Sequence, residues 1–128
     1  MREFFLVALG GAIGSAVRYA FSLLTPLIFG RSYLLTGTLI VNILGCIAIG
    51  ILIEWMEAKQ LMASGLKLLV LVGFLGGFTT YSAFGLEVLE IYRESIGNAL
   101  FYIGLHLFLG IGGIWLGIMG GQYLLKFS

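Results

Sequence analysis

An all-α integral membrane protein with four transmembrane helices is the fold class this sequence predicts, and three observations carry it. First, 60% of the 128 residues are hydrophobic, and only seven basic and six acidic side chains accompany them; mean hydropathy is +1.10. A soluble domain is about 25% charged, so this chain cannot coat a water-facing surface. Second, the charges bound long uncharged runs: residues 32–53, 68–86 and 95–125. Each run is long enough for a bilayer-crossing helix, which needs roughly 18 or more mainly apolar residues. Third, the runs are continuously apolar rather than alternating, which argues against a membrane β-barrel. At about 20 residues per span, residues 1–128 form one four-helix domain, with no room for a soluble catalytic or nucleotide-binding unit. A net charge of +1 offers no nucleic-acid surface, and one cysteine and one histidine make neither an internal disulfide nor an ordinary metal centre.

The expected spans are about 4–25, 33–54, 66–90 and 96–125. In the first, only Arg18 interrupts the apolar run, and Thr25-Pro26 is expected to close it because proline cannot continue a helix interior. The same segment can also be read as a signal peptide, with Arg2 as its basic start and small residues near Ser15-Ala16 as a cleavage site. The linker from Glu54 to Ser64 is long enough only for an interfacial turn. Four spans put Arg2, Lys59, Lys67 and Lys126 on one side, against Arg31, Arg93 and Arg18 on the other. That near-balance removes most of the positive-inside bias that fixes orientation. Either the chain inserts both ways up and pairs with its own inverted copy, or a weak bias still suffices.

Glycine occupies 20 positions. Gly10 and Gly14, Gly73 and Gly77, and Gly113, Gly117 and Gly121 stand four apart, the small-residue spacing that lets membrane helices approach closely. No strand precedes any of them, so none reads as a nucleotide-binding glycine.

Polar residues at membrane depth carry the functional signal, since uncompensated polar groups there are costly. Asn42 lies at the middle of its run, with Thr38 one turn earlier on the same face; the pair can serve an anion or glue two helices. Arg18 shares a small, polar face with Gly11, Ser15 and Ser22. It needs an anionic partner such as Glu87 or Glu90, a wet vestibule, or a passing anion; snorkelling is a further option. Across the third run, Gly76-Gly77 and the hydroxyl series Thr79-Thr80-Tyr81-Ser82 make a poor helix. A break near the midplane is expected, with a continuous helix bearing a polar seam as the alternative. In the last span Tyr102, His106, Gly110, Gly113 and Gly117 form one stripe, in which His106 is either a satisfied interior histidine or part of a polar path. The span centres hold no acid, and the chain has no Asp. Amide, hydroxyl and guanidinium donors therefore favour an anion over a cation. Aromatic ring edges, electropositive by their quadrupole, add to this where Tyr81 and Phe84 stand three apart.

Three ordered motifs carry a family likeness: Gly11-Ala12-x-Gly14-x-x-x-Arg18-Tyr19, Gly37-Thr38-Leu39-x-Val41-Asn42-x-x-Gly45, and Gly73-Phe74-Leu75-Gly76-Gly77-Phe78-Thr79-Thr80-Tyr81-Ser82-x-Phe84. The chain resembles the small bacterial fluoride channels (Fluc, also called CrcB) from the first span through the third, and the fourth agrees in length and in Tyr102. The resemblance implies an antiparallel, dual-topology homodimer in the bacterial inner membrane, with two pores passing fluoride. It also implies pore roles for Asn42, Thr38, Tyr81, Phe84, Ser82 and Tyr102, with Arg18 facing a vestibule and Glu87 nearby. Backbone carbonyls of Gly76 and Thr79 would hold a structural Na+ at the dimer interface. Two positions depart from the family pattern: Tyr81 stands where Phe is usual, and His106 where a small hydroxyl residue is expected.

The function expected is therefore passive, channel-mediated export of cytoplasmic fluoride, not an enzymatic activity. That the pathway suits an anion follows from the residues; that the anion is fluoride follows from the resemblance. The rival is a small multidrug-resistance-like drug/proton antiporter, equally small and four-spanned, but such proteins carry a glutamate in the first helix where this chain carries Arg18. A non-conducting assembly subunit is a third reading.

Overall fold

The computed structural model describes residues 1–30, 32 and 34–127. Arg31, which bounds the uncharged run 32–53, and Tyr33, the expected start of the second span, lie outside the described residues. Among the described residues, four helical stretches are long and apolar enough to cross a membrane: Arg2–Phe29, Gly37–Ala58, Gly65–Glu94 and Ile96–Leu125. The protein is an all-helical, multi-pass membrane protein.

Helix α1 (Arg2–Phe29) runs through Pro26, the residue at which the sequence placed its end. Proline withholds one amide, the one that would serve the Ser22 carbonyl. Next to it, the buried Thr25 donates its hydroxyl to the Phe21 carbonyl at 2.7 Å. That hydroxyl does not reach the freed Ser22 carbonyl, but the loss of one bond near a helix end is tolerated in membrane helices. α1 stops at Gly30 instead, whose φ of 74° suits a residue without Cβ.

Helix α2 (Gly37–Ala58) begins where Thr36, in extended backbone, accepts the Leu39 amide on its hydroxyl at 3.1 Å. The cap, not the first apolar residue, sets that start. The third span opens with α3 (residues 65–78), made of Gly65–Lys67, a π-helical stretch over Leu68–Leu75, and Gly76–Phe78. Thr79 and Thr80 then take extended conformations, φ/ψ −89°/156° and −150°/123°. α4 (Tyr81–Glu94) follows, capped by the Thr80 hydroxyl on the Ala83 amide at 3.3 Å. α5 (Ile96–Leu125) starts at Ser95, which caps the Asn98 amide.

Two tight helix pairs organise the bundle, α1 on α3 and α2 on α5. Any Cβ at Gly10 or Gly14 would run into the backbone of Leu69, Phe74 or Phe78, and one at Gly77 into the backbone of Gly11. Likewise Gly50 and Gly117 meet backbone of the opposite helix, Ile114 and Ile47. The four-residue glycine ladders are thus contact faces, and the stripe Gly110, Gly113, Gly117 lies against α2 at Cys46 and Ile47. Side chains fill the rest in two clusters. Val41, Leu75 and Phe78 join α2 and α3, with Val17 and Phe21 of α1 packed against them. Leu39, Ile91, Ala99 and Tyr102 join α2, α4 and α5. Large apolar side chains elsewhere face outward, Phe108 at 82% and Leu27 at 79% exposure, as a lipid-facing or partner-facing surface requires.

Candidate functional site

Asn42, in the middle of α2, is locked onto the extended pair in the third span. Its Oδ1 accepts the Thr80 amide at 2.8 Å, and its Nδ2 donates to the Thr80 carbonyl at 3.0 Å. In a continuous helix the Thr80 amide would close on the Gly76 carbonyl; here it turns to Asn42. The Gly77 carbonyl, which would take the Tyr81 amide, instead accepts Arg18 Nε at 3.0 Å and Ser15 Oγ at 3.5 Å. The Ala83 amide, due at the Thr79 carbonyl, goes to the Thr80 hydroxyl. Side chains from α1 and α2 therefore satisfy part of what the extended residues release, leaving the Gly76 and Thr79 carbonyls outside the helical ladder.

Among the described residues Arg18 makes no ion pair with Glu87 or Glu90; it donates to that Gly77 carbonyl instead. Glu87 instead gathers hydroxyls. Thr38 Oγ1 donates to its Oε1 at 2.7 Å, while Tyr102 OH at 2.5 Å and Thr36 Oγ1 at 3.1 Å reach its Oε2. Thr36 and Tyr102 also touch through their oxygens at 2.7 Å. Because Tyr102 gives its one hydrogen to Glu87, the Thr36 hydrogen is shared between the carboxylate and the phenol oxygen. Thr36 is also the cap of α2, so the carboxylate stands at a helix N-terminus, where negative charge is favoured. Tyr102 is fully buried.

An aromatic series connects the two polar groups. Tyr81 and Phe84 ring centroids are 5.6 Å apart, Phe84 and His106 4.3 Å, His106 and Tyr102 4.6 Å in an edge-on arrangement, and Phe84 and Tyr102 6.0 Å. A cleft of about 440 Å³ runs beside it, lined among others by Asn42, Gly76, Thr79, Thr80, Tyr81, Phe84 and His106. Both His106 ring nitrogens are buried and neither has a hydrogen-bond partner among the described residues, so His106 is not the satisfied interior histidine the sequence allowed. An unsatisfied buried polar group typically costs about 1–3 kcal/mol and calls for an explanation.

Of the expected site residues, Asn42, Gly76, Thr79, Tyr81 and Phe84 share this cleft. Ser82 stands at its exposed edge, 3.2 Å from the Thr80 hydroxyl. Thr38 and Tyr102 belong to the Glu87 cluster, and Arg18 reaches the interruption from α1. The central position of Glu87, and the part played by Thr36, are what sequence reasoning missed. The sequence offered Glu87 as a partner for Arg18 and a neighbour of the vestibule rather than as an acceptor of hydroxyls; α4 continues to Glu94 and so places it two turns inside the helix. An acid followed by seven more helical residues was the available signal.

The chain that brings an amide, hydroxyls, aromatic rings and an imidazole around this cleft has known relatives. Residues 5–118 match the family described as "CrcB-like protein, Camphor Resistance (CrcB)". The chain belongs to the CrcB-like family. Similar CrcB-like relatives carry the name fluoride-specific ion channel FluC. One, from Allorhizobium ampelinum, is 36% identical over 127 residues, covering 97% of this chain and 99% of the relative. Another, from Methylobacillus flagellatus, is 42% identical over 120 residues, 91% and 92% of the two chains. A third, from Dehalococcoides mccartyi, is 38% identical over 125 residues, 97% and 95%. The CrcB-like match thus reaches into all four spans and includes every residue that lines the cleft.

Proposed function

We propose that this CrcB-like protein is a fluoride-selective channel that lets cytoplasmic fluoride leave the cell passively, down its electrochemical gradient, and so relieves fluoride toxicity. The observation that carries the reading is near-full-length similarity to channels named for fluoride, joined to a cleft that sets Asn42, Tyr81, Phe84 and His106 among aliphatic side chains. A small, strongly hydrated anion must exchange its water for such groups to cross hydrocarbon. The drug/proton antiporter has no support: its exchange chemistry needs a carboxylate within the first span, and the deep charge of α1 is Arg18.

In this reading the channel is an antiparallel homodimer with dual topology in the bacterial inner membrane, and the near-balance of loop cations supports it. The third span is interrupted near the bilayer midplane, at Thr79 and Thr80. Asn42, Tyr81, Phe84 and Ser82 line the pore near the interruption, Thr38 and Tyr102 extend the polar path toward Glu87, and Arg18 faces a vestibule. A structural Na+ would be held by the Gly76 and Thr79 carbonyls at the dimer interface. Those carbonyls fit a hard monovalent cation. They are neutral oxygens freed from the helical ladder, and a Cβ built at Gly76 meets nothing within 4 Å. Two such oxygens are too few for one ion, so a second copy supplies the remainder. Among the described residues no cluster of His, Cys, Asp or Glu offers a competing metal site.

The test is flux. Purified protein in liposomes, driven by a potassium gradient with valinomycin, is expected to release fluoride rapidly at an electrode while chloride stays inside. Comparable chloride release would remove the selectivity, and silent liposomes would point to an assembly subunit.

A further inference from the structure

His106 is a half-buried side chain whose two ring nitrogens are themselves buried, and neither makes a hydrogen bond of good geometry among the described residues. The other polar side chains around it are largely committed. The Thr79 hydroxyl donates to the Leu75 carbonyl at 2.9 Å, and the Thr80 hydroxyl takes the Ala83 amide and pairs with Ser82. Thr38 and Tyr102 are bound to Glu87, and one amide hydrogen of Asn42 is given to Thr80. Tyr81 has no hydrogen bond on its phenol among the described residues but is 84% exposed. What remains inside the cleft is the second Asn42 hydrogen, the weak Cys46 thiol and the imidazole.

The imidazole is also well placed. Its ring lies 4.3 Å from Phe84 and 4.6 Å from Tyr102, between the Asn42 end of the cleft and the Glu87 cluster. A neutral imidazole carries one N–H donor, and a donor held in a low-dielectric cleft binds an anion more strongly than it would in water. We propose that His106 is an anion-coordinating residue of the conduction path, donating a ring N–H to fluoride as the ion passes from Asn42 along Phe84. The proposal rests on the channel reading above. It gives the orphaned imidazole the partner that the protein itself withholds.

Single-channel recording in planar bilayers, with the full chain at a series of fluoride concentrations, tests it. His106→Phe keeps a ring and removes the donor; His106→Gln keeps a donor. Loss of one hydrogen bond to an anion should raise the half-saturating fluoride concentration about tenfold in His106→Phe, with His106→Gln within about threefold of wild type. An unchanged concentration dependence in His106→Phe overturns the proposal, as does an equal shift in both variants, which assigns the residue to packing. The wild-type protein gives a second measurement that needs no variant. In membranes, the 15N resonances of histidine-labelled protein should shift on adding fluoride and not on adding chloride; resonances indifferent to fluoride overturn the proposal. Absence of any wild-type fluoride current overturns the channel reading itself, whereas a normal wild-type current with either failure above removes only the role of His106.

Discussion

At the scale of single residues, the side chains in this protein do double duty as structural donors and as the lining of a cleft. Asn42 is the clearest case. Its amide binds both backbone groups of Thr80, and it still has one hydrogen left for a ligand. Asn42→Asp keeps the acceptor but sets a carboxylate against the Thr80 carbonyl and in the way of an anion. Fluoride flux in liposomes should drop by about tenfold or more, because like charges at close range in a low dielectric repel by more than 1.4 kcal/mol; undiminished flux would leave Asn42 with a purely structural part. Tyr102→Phe removes one of the hydroxyls donated to Glu87 inside the bundle. It should lower stability by about 1–3 kcal/mol, read as a reduced unfolding midpoint in detergent, and should also slow flux. An unaltered midpoint would mean that Thr36 and Thr38 satisfy the carboxylate unaided.

At the scale of elements, close approach between helices depends on the absence of a side chain. Gly77 lies against Gly11 and Gly14 against Phe74, backbone to backbone, and backbone cannot move aside as a side-chain tip can. Gly14→Leu should therefore cost about 1–3 kcal/mol or more through overpacking, again visible in the thermal midpoint. Gly120→Ala is the control: a Cβ there meets nothing within 4 Å, and alanine favours the helix by up to about 1 kcal/mol over glycine. A midpoint that fell equally in both would show that glycine serves helix flexibility rather than contact. The start of α4 has a similar logic. Thr80 caps it through the Ala83 amide, and Thr80→Ala should weaken it by about 0.5–2 kcal/mol.

At the scale of the whole molecule, large apolar side chains beside the cleft are left uncovered. Tyr81 at the cleft mouth and the outward-facing Phe108 and Ile111 are strongly exposed, and the carbonyls proposed to hold Na+ need oxygens from elsewhere. If two inverted copies complete the pathway, differently tagged chains should crosslink as pairs with N-termini accessible from opposite faces of the membrane. One-sided labelling of every copy would exclude dual topology. Replacing Na+ on both sides by a large organic cation should then reduce fluoride flux, while flux indifferent to Na+ would leave the Gly76 and Thr79 carbonyls without that role.

The sequence alone determined the architecture at the level of spans, because hydrocarbon tolerates few charges and those few mark the ends of apolar runs. It also exposed the glycine faces, since four-residue spacing is a property of helix geometry, and it singled out the polar residues, which stand out against an apolar background. What only the tertiary structure decided is which polar groups satisfy one another. Arg18 had a carboxylate, a wet vestibule or a passing anion as its options in the sequence, and folding gave it the Gly77 carbonyl. Glu87 looked like a partner for Arg18 and became the acceptor for Thr36, Thr38 and Tyr102, which are far from it in the chain. Pro26 looked like a stop and was absorbed. Such pairings are settled by the distances between helices that pack only once the whole bundle has formed, and no local pattern in the chain encodes them.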